Sequence, residues 1–180
     1  FRIRLSSDED GNQGLLSMAE TLSVVDMLPA QFEPHTMRRY ILAIEGIDSY
    51  IVKTAARPKI SFEDVALPWI NSYRYISGRG KFDAMQVTLH DPIAPSGAQQ
   101  VMEWVRLNYE SISGRAGYSD FYKRDIELKM LDGIGTVAQK WEIKGAWIKE
   151  VDFGGLDASS DAELAEITLT IRFDNFALSY

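Results

Sequence analysis

Gly78, Arg79, Gly80 and Lys81 stand together in the stretch GRGKFDAMQVTLHDP (78–92), and glycine beside basic residues is the composition of a loop that grips phosphate. Such a loop needs a strand before it and a helix after it, so that backbone amides and the helix N-terminus converge on the anion. Here FDAMQVTLH follows, with Met85, Val87 and Leu89 alternating to one side as in a strand, and no Lys-Ser or Lys-Thr pair is available to hold magnesium. The reading is therefore a hairpin turn over Ser77–Gly80, its glycines supplying positive φ, and not a nucleotide site.

Other chemistry-bearing residues are sparse. The chain has no cysteine, hence no disulfide and no thiolate ligand, and only two histidines, His35 and His90. A metal site needs three or four converging ligands. Neither histidine has a second within helical or strand reach, so both are expected at the surface with their polar needs met, and no metal or cofactor is expected. No GxSxG elbow occurs. Asp125 and Glu127 are two apart on one strand and predicted to lie on a solvated face; spacing alone leaves a paired-carboxylate hydrolase open. The expectation is a protein that is not an enzyme.

The elements that position these residues are mostly strands. The composition, 46% hydrophobic and 25% charged over 180 residues, is that of a globular chain with a sizeable core. No apolar run approaches the roughly 20 residues of a membrane span, and no membrane insertion is expected. The net charge of −7 argues against specific nucleic-acid binding, which wants a basic face.

Residues 1–36 read as an N-terminal arm: a polar start, then Leu15, Met18, Ala19, Leu22 and Val25 at helical spacing, closed by Pro29 and Pro34. Residues 37–180 read as one β domain. RYILAI and SYIVKT form a first pair around Gly46; ISFEDV, YRYI, FDAMQVTLH, DIELKML, AQKWEIKGAWIKEV (with a break at Gly145) and EITLTIRF supply the other strands. Ser96 with Gln99 is a capping-box pattern, opening a helix whose stripe is Ala98, Val101, Met102, Val105, Tyr109 and Ile112, with Gly114 as its stop. Seven or eight strands and one principal helix predict a mainly β fold: two packed antiparallel sheets, sandwich- or barrel-like, with an extended N-terminal arm.

Several apolar residues lack an obvious place in that core. Trp104 and Leu107 lie on a helix flank away from the stripe, which is either a wide buried face or a contact with a neighbouring subunit. Leu15 and Leu22 on the arm, and Phe82 and Trp147 near strand ends, are further candidates for subunit contact.

At YRYISGRGKFDAMQVTLHD and at WEIKGAWIKEVDFGGLDASSDAELAEITLTIRFDNF the chain resembles the tail tube proteins of contractile-tailed bacteriophages, over about residues 38–178. The positions that carry the likeness are Phe82 and Asp83, Trp104 on the helix, the Glu142-Ile143-Lys144-Gly145 run with Trp147, and the closing strand at 166–173. ARPKISFEDVALP (56–68) adds a looser match, and the long arm before Met37 is a departure.

The resemblance implies two packed β-sheets and a helix, arranged as homo-hexameric rings that stack into a hollow tube. It implies a structural virion protein, assembled in the host bacterial cytoplasm, whose partners are copies of itself, a sheath protein, and baseplate and tail terminator proteins. DNA would pass through the lumen during ejection without specific binding, repelled by an acidic wall. Candidate wall residues are Asp125, Glu127, Glu166, Thr168 and Thr170. Two alternatives stand beside this: a tube of a non-phage contractile injection system, and a monomeric carbohydrate-binding β-sandwich.

Overall fold

The computed structural model describes residues 33–157, 159 and 163–179. The expected arm (1–36), with Leu15 and Leu22, lies outside the described residues except for its last few positions. Nine strands are described: β1 (Tyr40–Ile44), β2 (Val52–Ala55), β3 (Ile60–Trp69), β4 (Ser72–Phe82), β5 (Met85–His90), β6 (Arg124–Leu131), β7 (Val137–Asp152), β8 (Glu166–Arg172) and β9 (Asn175–Ser179). Helix α1 spans Gly97–Asn108, and α2 is a single turn, Ser119–Tyr122.

The protein is mainly β, with two antiparallel sheets and one main helix. The larger sheet has seven strands in the order β1-β6-β7-β8-β5-β2, with β9 also paired to β7; the smaller is the hairpin β3-β4. Strand β7 is the spine. Its first half pairs with β6 on one side and β9 on the other, and its second half pairs with β8.

Gly145 divides the two halves of β7, at φ 65°. That left-handed conformation is costly for a residue with a Cβ, and a Cβ here would also collide with the Asp174 carboxylate. The Gly145 N–H is instead taken by Asp125 Oδ1 at 3.1 Å. Glycine thus lets one strand serve both halves of the sheet.

The alternation legible in the sequence builds the core. Met85, Val87 and Leu89 of β5, Ile126 and Leu128 of β6, and Ile167, Leu169 and Ile171 of β8 all belong to one buried cluster. Each such side chain removed from water contributes about 1.5–3 kcal/mol. Both halves of the sheet therefore close on a single core, and a one-residue slip in any strand would turn its aliphatic set outward. The strand edges β1 and β2 meet through one side-chain bond, Tyr40 Oη donating to Lys53 O at 2.7 Å.

Three expectations are corrected. The strands flanking Gly46 do not pair with each other: β1 pairs with β6 and β2 with β5. Pairing was read from sequence proximity, whereas the deep apolar faces of β5 and β6 lie far along the chain. Helix α1 ends at Asn108, short of Gly114, with Tyr109 N–H still bonding Val105 O at 2.9 Å. Tyr109 then bridges Ala116 in a tight return loop, so neither Tyr109 nor Ile112 extends the helical stripe. Ser96 occupies the N-cap without a side-chain bond. Asp91 does the capping instead, its Oδ1 accepting from Ala98 N–H at 3.1 Å.

Candidate self-association surface

The GRGK stretch is neither a phosphate loop nor a turn. Gly78 and Gly80 lie inside β4, paired with β3 from Ile60↔Phe82 to Trp69↔Ser72, with a bulge between Phe62 and Asp64. Neither glycine has positive φ; among the described residues the non-glycine residue that does is Ile70, at 51°, in the turn that joins the two strands. What the glycines supply is room. A Cβ on Gly78 would sit 2.8 Å from the Glu63 carbonyl oxygen, and one on Gly80 would sit 3.1 Å from the Phe62 ring.

Among the described residues the resulting ribbon of β3 and β4 pairs with no other strand. Register places Val65, Leu67 and Trp69 on one face with Ile76 and Arg74, and Asp64, Ala66 and Pro68 on the other with Tyr75 and Tyr73. Both faces are exposed along nearly the whole length, with Trp69 at 72% and Ile70 at 91%. A two-stranded ribbon is marginal alone in water, and an apolar ribbon bare on both sides is a surface awaiting a partner. Sequence reading missed it because the glycines drew the turn to the wrong place. The signal was present: apolar residues at both parities from Val65 to Ile76, a pattern that half-buried strands do not show.

A second surface, not covered by the described residues, lies at the seam between β1 and β2. Met37, Tyr40, Ala55, Leu128 and Met130 line a mostly apolar groove of about 480 Å³, rimmed by the cations Arg38 and Arg57. Burial raises the Tyr40 phenol above its ordinary pKa. A third apolar area follows α1, where Leu107, Tyr109, Ile112, Tyr118 and Phe121 are exposed.

The subunit-contact candidates divide. Of the two readings of Trp104, the structure has the buried face: it is 1% exposed, a core residue. Its indole N–H donates to Tyr122 O at 2.7 Å and the Arg124 guanidinium stands 5.1 Å from its ring centroid. With α1 ending at Asn108, the buried stripe is Val101 and Trp104, flanked by Ala98 and Val105, so Trp104 sits on the stripe and not beside it. Leu107 is on the outside. Phe82 and Trp147 are half-buried. Phe82 packs edge-on to Phe176, centroids 5.4 Å apart, and Trp147 edge-on to Tyr122 at 6.2 Å.

The candidate wall residues fall in two groups that the fold does not unite. Asp125 and Glu127 are on β6, and Glu166, Thr168 and Thr170 on β8, with β7 between them. Their charge is also largely balanced. Glu127 takes Lys129 at 2.8 Å and Lys140 at 2.9 Å, and Lys140 also holds Glu142 at 2.9 Å, so this face is a ladder of two acids and two bases. Hydrogen bonds from Lys129 and Lys140 hold the Glu127 carboxyl below its ordinary range, and bonds to Glu142 and Glu127 raise the Lys140 ammonium. Glu166 is ion-paired with Lys53.

His35 is exposed. His90 departs from expectation: it is half-buried opposite Glu166, and its Nδ1 is buried without a hydrogen-bond partner among the described residues. Among the described residues no three His, Asp or Glu side chains come together in a metal-binding cluster, and no helix is long and apolar enough to cross a membrane.

Comparison with solved structures gives the class of fold. A chain of the sheath/tube terminator of an extracellular contractile injection system, PVC, in the extended state superposes with a TM-score of 0.67 at 14% identity, covering 84% of this chain and 100% of that one. A chain of the PVC sheath-tube complex superposes at 0.62 and 17% identity, covering 88% and 99%. At the level of sequence, residues 39–177 match the family described as T4-like virus tail tube protein gp19, and the chain belongs to that family. A tail tube protein of Serratia phage KSP90 is 27% identical over 122 residues, 67% of this chain and 68% of that protein.

Proposed function

We propose that this tail tube protein assembles into homo-hexameric rings that stack as the inner tube of a contractile phage tail. The observation that carries the reading is the set of strand edges without a ladder partner among the described residues: β9 pairs only with β7, and β1 and β2, at the two ends of the sheet, meet through one side-chain bond and no backbone ladder. An open edge presents a row of unmet N–H and C=O groups, which identical neighbours can satisfy by continuing the sheet. Contacts of this head-to-tail kind close into rings when the rotation permits.

In this reading the protein performs no chemistry. It encloses a lumen for DNA ejection and presents an outer surface on which the sheath assembles, with baseplate and terminator proteins at the ends. Assembly takes place in the host bacterial cytoplasm and the tube ends in the virion. Residues 1–36 act as an arm that ties rings together, through Leu15 and Leu22, while Phe82, Leu107 and Trp147 lie at contacts between subunits. Asp125, Glu127, Glu166, Thr168 and Thr170 are candidates for the lumen, where a charge-balanced ladder offers no net positive charge for DNA phosphates to bind, though it repels them less than an acidic wall would.

The test is negative-stain microscopy of the purified full chain across a range of concentrations. Rings or fibres with a central hole and six-fold averages support the proposal; a single-chain species at every concentration and salt overturns it. Particles isolated from cells with DNA in the lumen distinguish a phage tail from an injection system that carries protein.

A further inference from the structure

We infer that the seam groove between β1 and β2 is the dock for the chain's own N-terminal arm before assembly, where the arm's apolar stripe is withheld from other rings; the inference rests on the self-assembly reading above. The floor of the groove is apolar, with Tyr40, Leu128 and Met130, and Arg38 and Arg57 stand on its rim. Among the described residues no carboxylate lines it, and its third cation, Lys53, is already paired with Glu166. The groove exists because the ladder stops there: β1 and β2 meet through one side-chain bond. An apolar floor beside two cations fits an occupant that is both apolar and acidic.

The sequence that precedes the groove has that composition. Leu15, Met18, Ala19, Leu22 and Val25 recur at the spacing of one helical stripe. Between Arg4 and Arg38 there is no lysine or arginine, whereas Asp8, Glu9, Asp10, Glu20, Asp26 and Glu33 supply six acids. Glu20 lies within the stripe segment and Asp26 follows its last residue.

Position selects this segment over an acidic partner from elsewhere. Met37 itself lines the groove, and residues 26–36 are the whole tether between it and Val25. Extended, a tether of that length spans up to about 36–40 Å, so it leaves the stripe free to reach the groove. It also holds the stripe at an effective concentration on the order of millimolar, which the arm of a second copy matches only in concentrated solution. One stripe cannot lie on its own groove and on a neighbouring ring at once. Stacking therefore requires the arm to leave the groove, and in dilute protein the groove acts as a brake on assembly.

A photo-crosslinking amino acid at Leu22 of the full chain tests the contact. The protein is mixed with isotopically labelled wild-type chain, at a dilution where sedimentation shows the single chain, so that links between copies are recognised by mass. The link is expected within one chain, to peptides within residues 37–57 or 124–131. Links only between copies, links to other peptides, or no link at all overturn the inference. This readout needs no particles, and so stands apart from the assembly reading, which falls if unmodified chain forms none at any concentration. Arg38→Glu with Arg57→Glu is expected to lower the yield of the link by about fivefold to tenfold, and by less in high salt. Adding Glu20→Lys with Asp26→Lys to that chain is expected to restore the yield, which also shows that the reversed rim still folds. An unchanged yield in the first variant, or no restoration in the second, refutes the charge match. Chains linked through position 22 are expected to be left out of stacked rings; if they enter stacks as readily as unlinked chains, the brake is refuted.

Discussion

Replacing Trp104 separates a residue of the core from one of the interface. Its side chain is 1% exposed and its N–H is bonded to the Tyr122 carbonyl. A tryptophan buries about 150–250 Å², which at about 25 cal/mol per Å² is roughly 4–6 kcal/mol as an upper bound. Trp→Ala in a core costs about 3–5 kcal/mol. Against a total stability of about 5–15 kcal/mol, Trp104→Ala removes a large share of the folded population. Trp104→Phe keeps the ring in place and leaves the Tyr122 carbonyl without its donor, at about 1–3 kcal/mol. The assay is urea unfolding followed by circular dichroism, at a dilution where sedimentation shows the single chain. Both variants should unfold at lower urea, the alanine more so. An unchanged midpoint combined with lost assembly would refute the reasoning and restore Trp104 to the surface.

Other perturbations follow from the same geometry. Gly145→Ala places a Cβ at φ 65° against the Asp174 carboxylate and should cost at least about 1 kcal/mol in the same unfolding assay. Gly78→Val drives a side chain into the Glu63 carbonyl, 2.8 Å from the first added carbon. It should impair assembly seen by microscopy while the thermal unfolding of the barrel is unchanged, because the ribbon is a sheet of its own. Glu127→Gln removes a carboxylate whose pKa is lowered by Lys129 and Lys140. A lowered carboxylate stabilises the fold above its unfolded pKa of about 4.3, and that contribution is lost as pH falls through the lower folded value. The variant should thus be less stable than wild type at neutral pH, by about 1 kcal/mol or less and less still in high salt, with the gap closing in acid.

The parts of the fold legible in the sequence are those set by local alternation. Met85-Val87-Leu89, Ile126-Leu128-Met130 and Ile167-Leu169-Ile171 each declare a strand with one buried face, and all are buried as read. The break at Gly145 was legible because it rests on glycine chemistry at one point. Pairing was not, since β1 joins β6 across eighty residues of chain and nothing local encodes that choice. The helix cap was misread because Asp91, seven residues from the amide it holds, lies outside the capping-box window. The association surface was hidden for a different reason. Its two glycines serve close packing inside a strand, where glycine usually marks a turn, and its apolar residues follow neither strand nor helix period because both faces carry them. The family match over residues 39–177 gives the class of protein, which periodicity does not encode.

The central claim, that strand edges left open in one chain are completed by identical neighbours, is tested most directly by hydrogen–deuterium exchange on assembled and dispersed protein. The account predicts that amides of β2 and β9, fast in the single chain, become slow in the assembly, while those of β5 and β8 are slow in both. Equal exchange at β2 and β9 in the two states would contradict it.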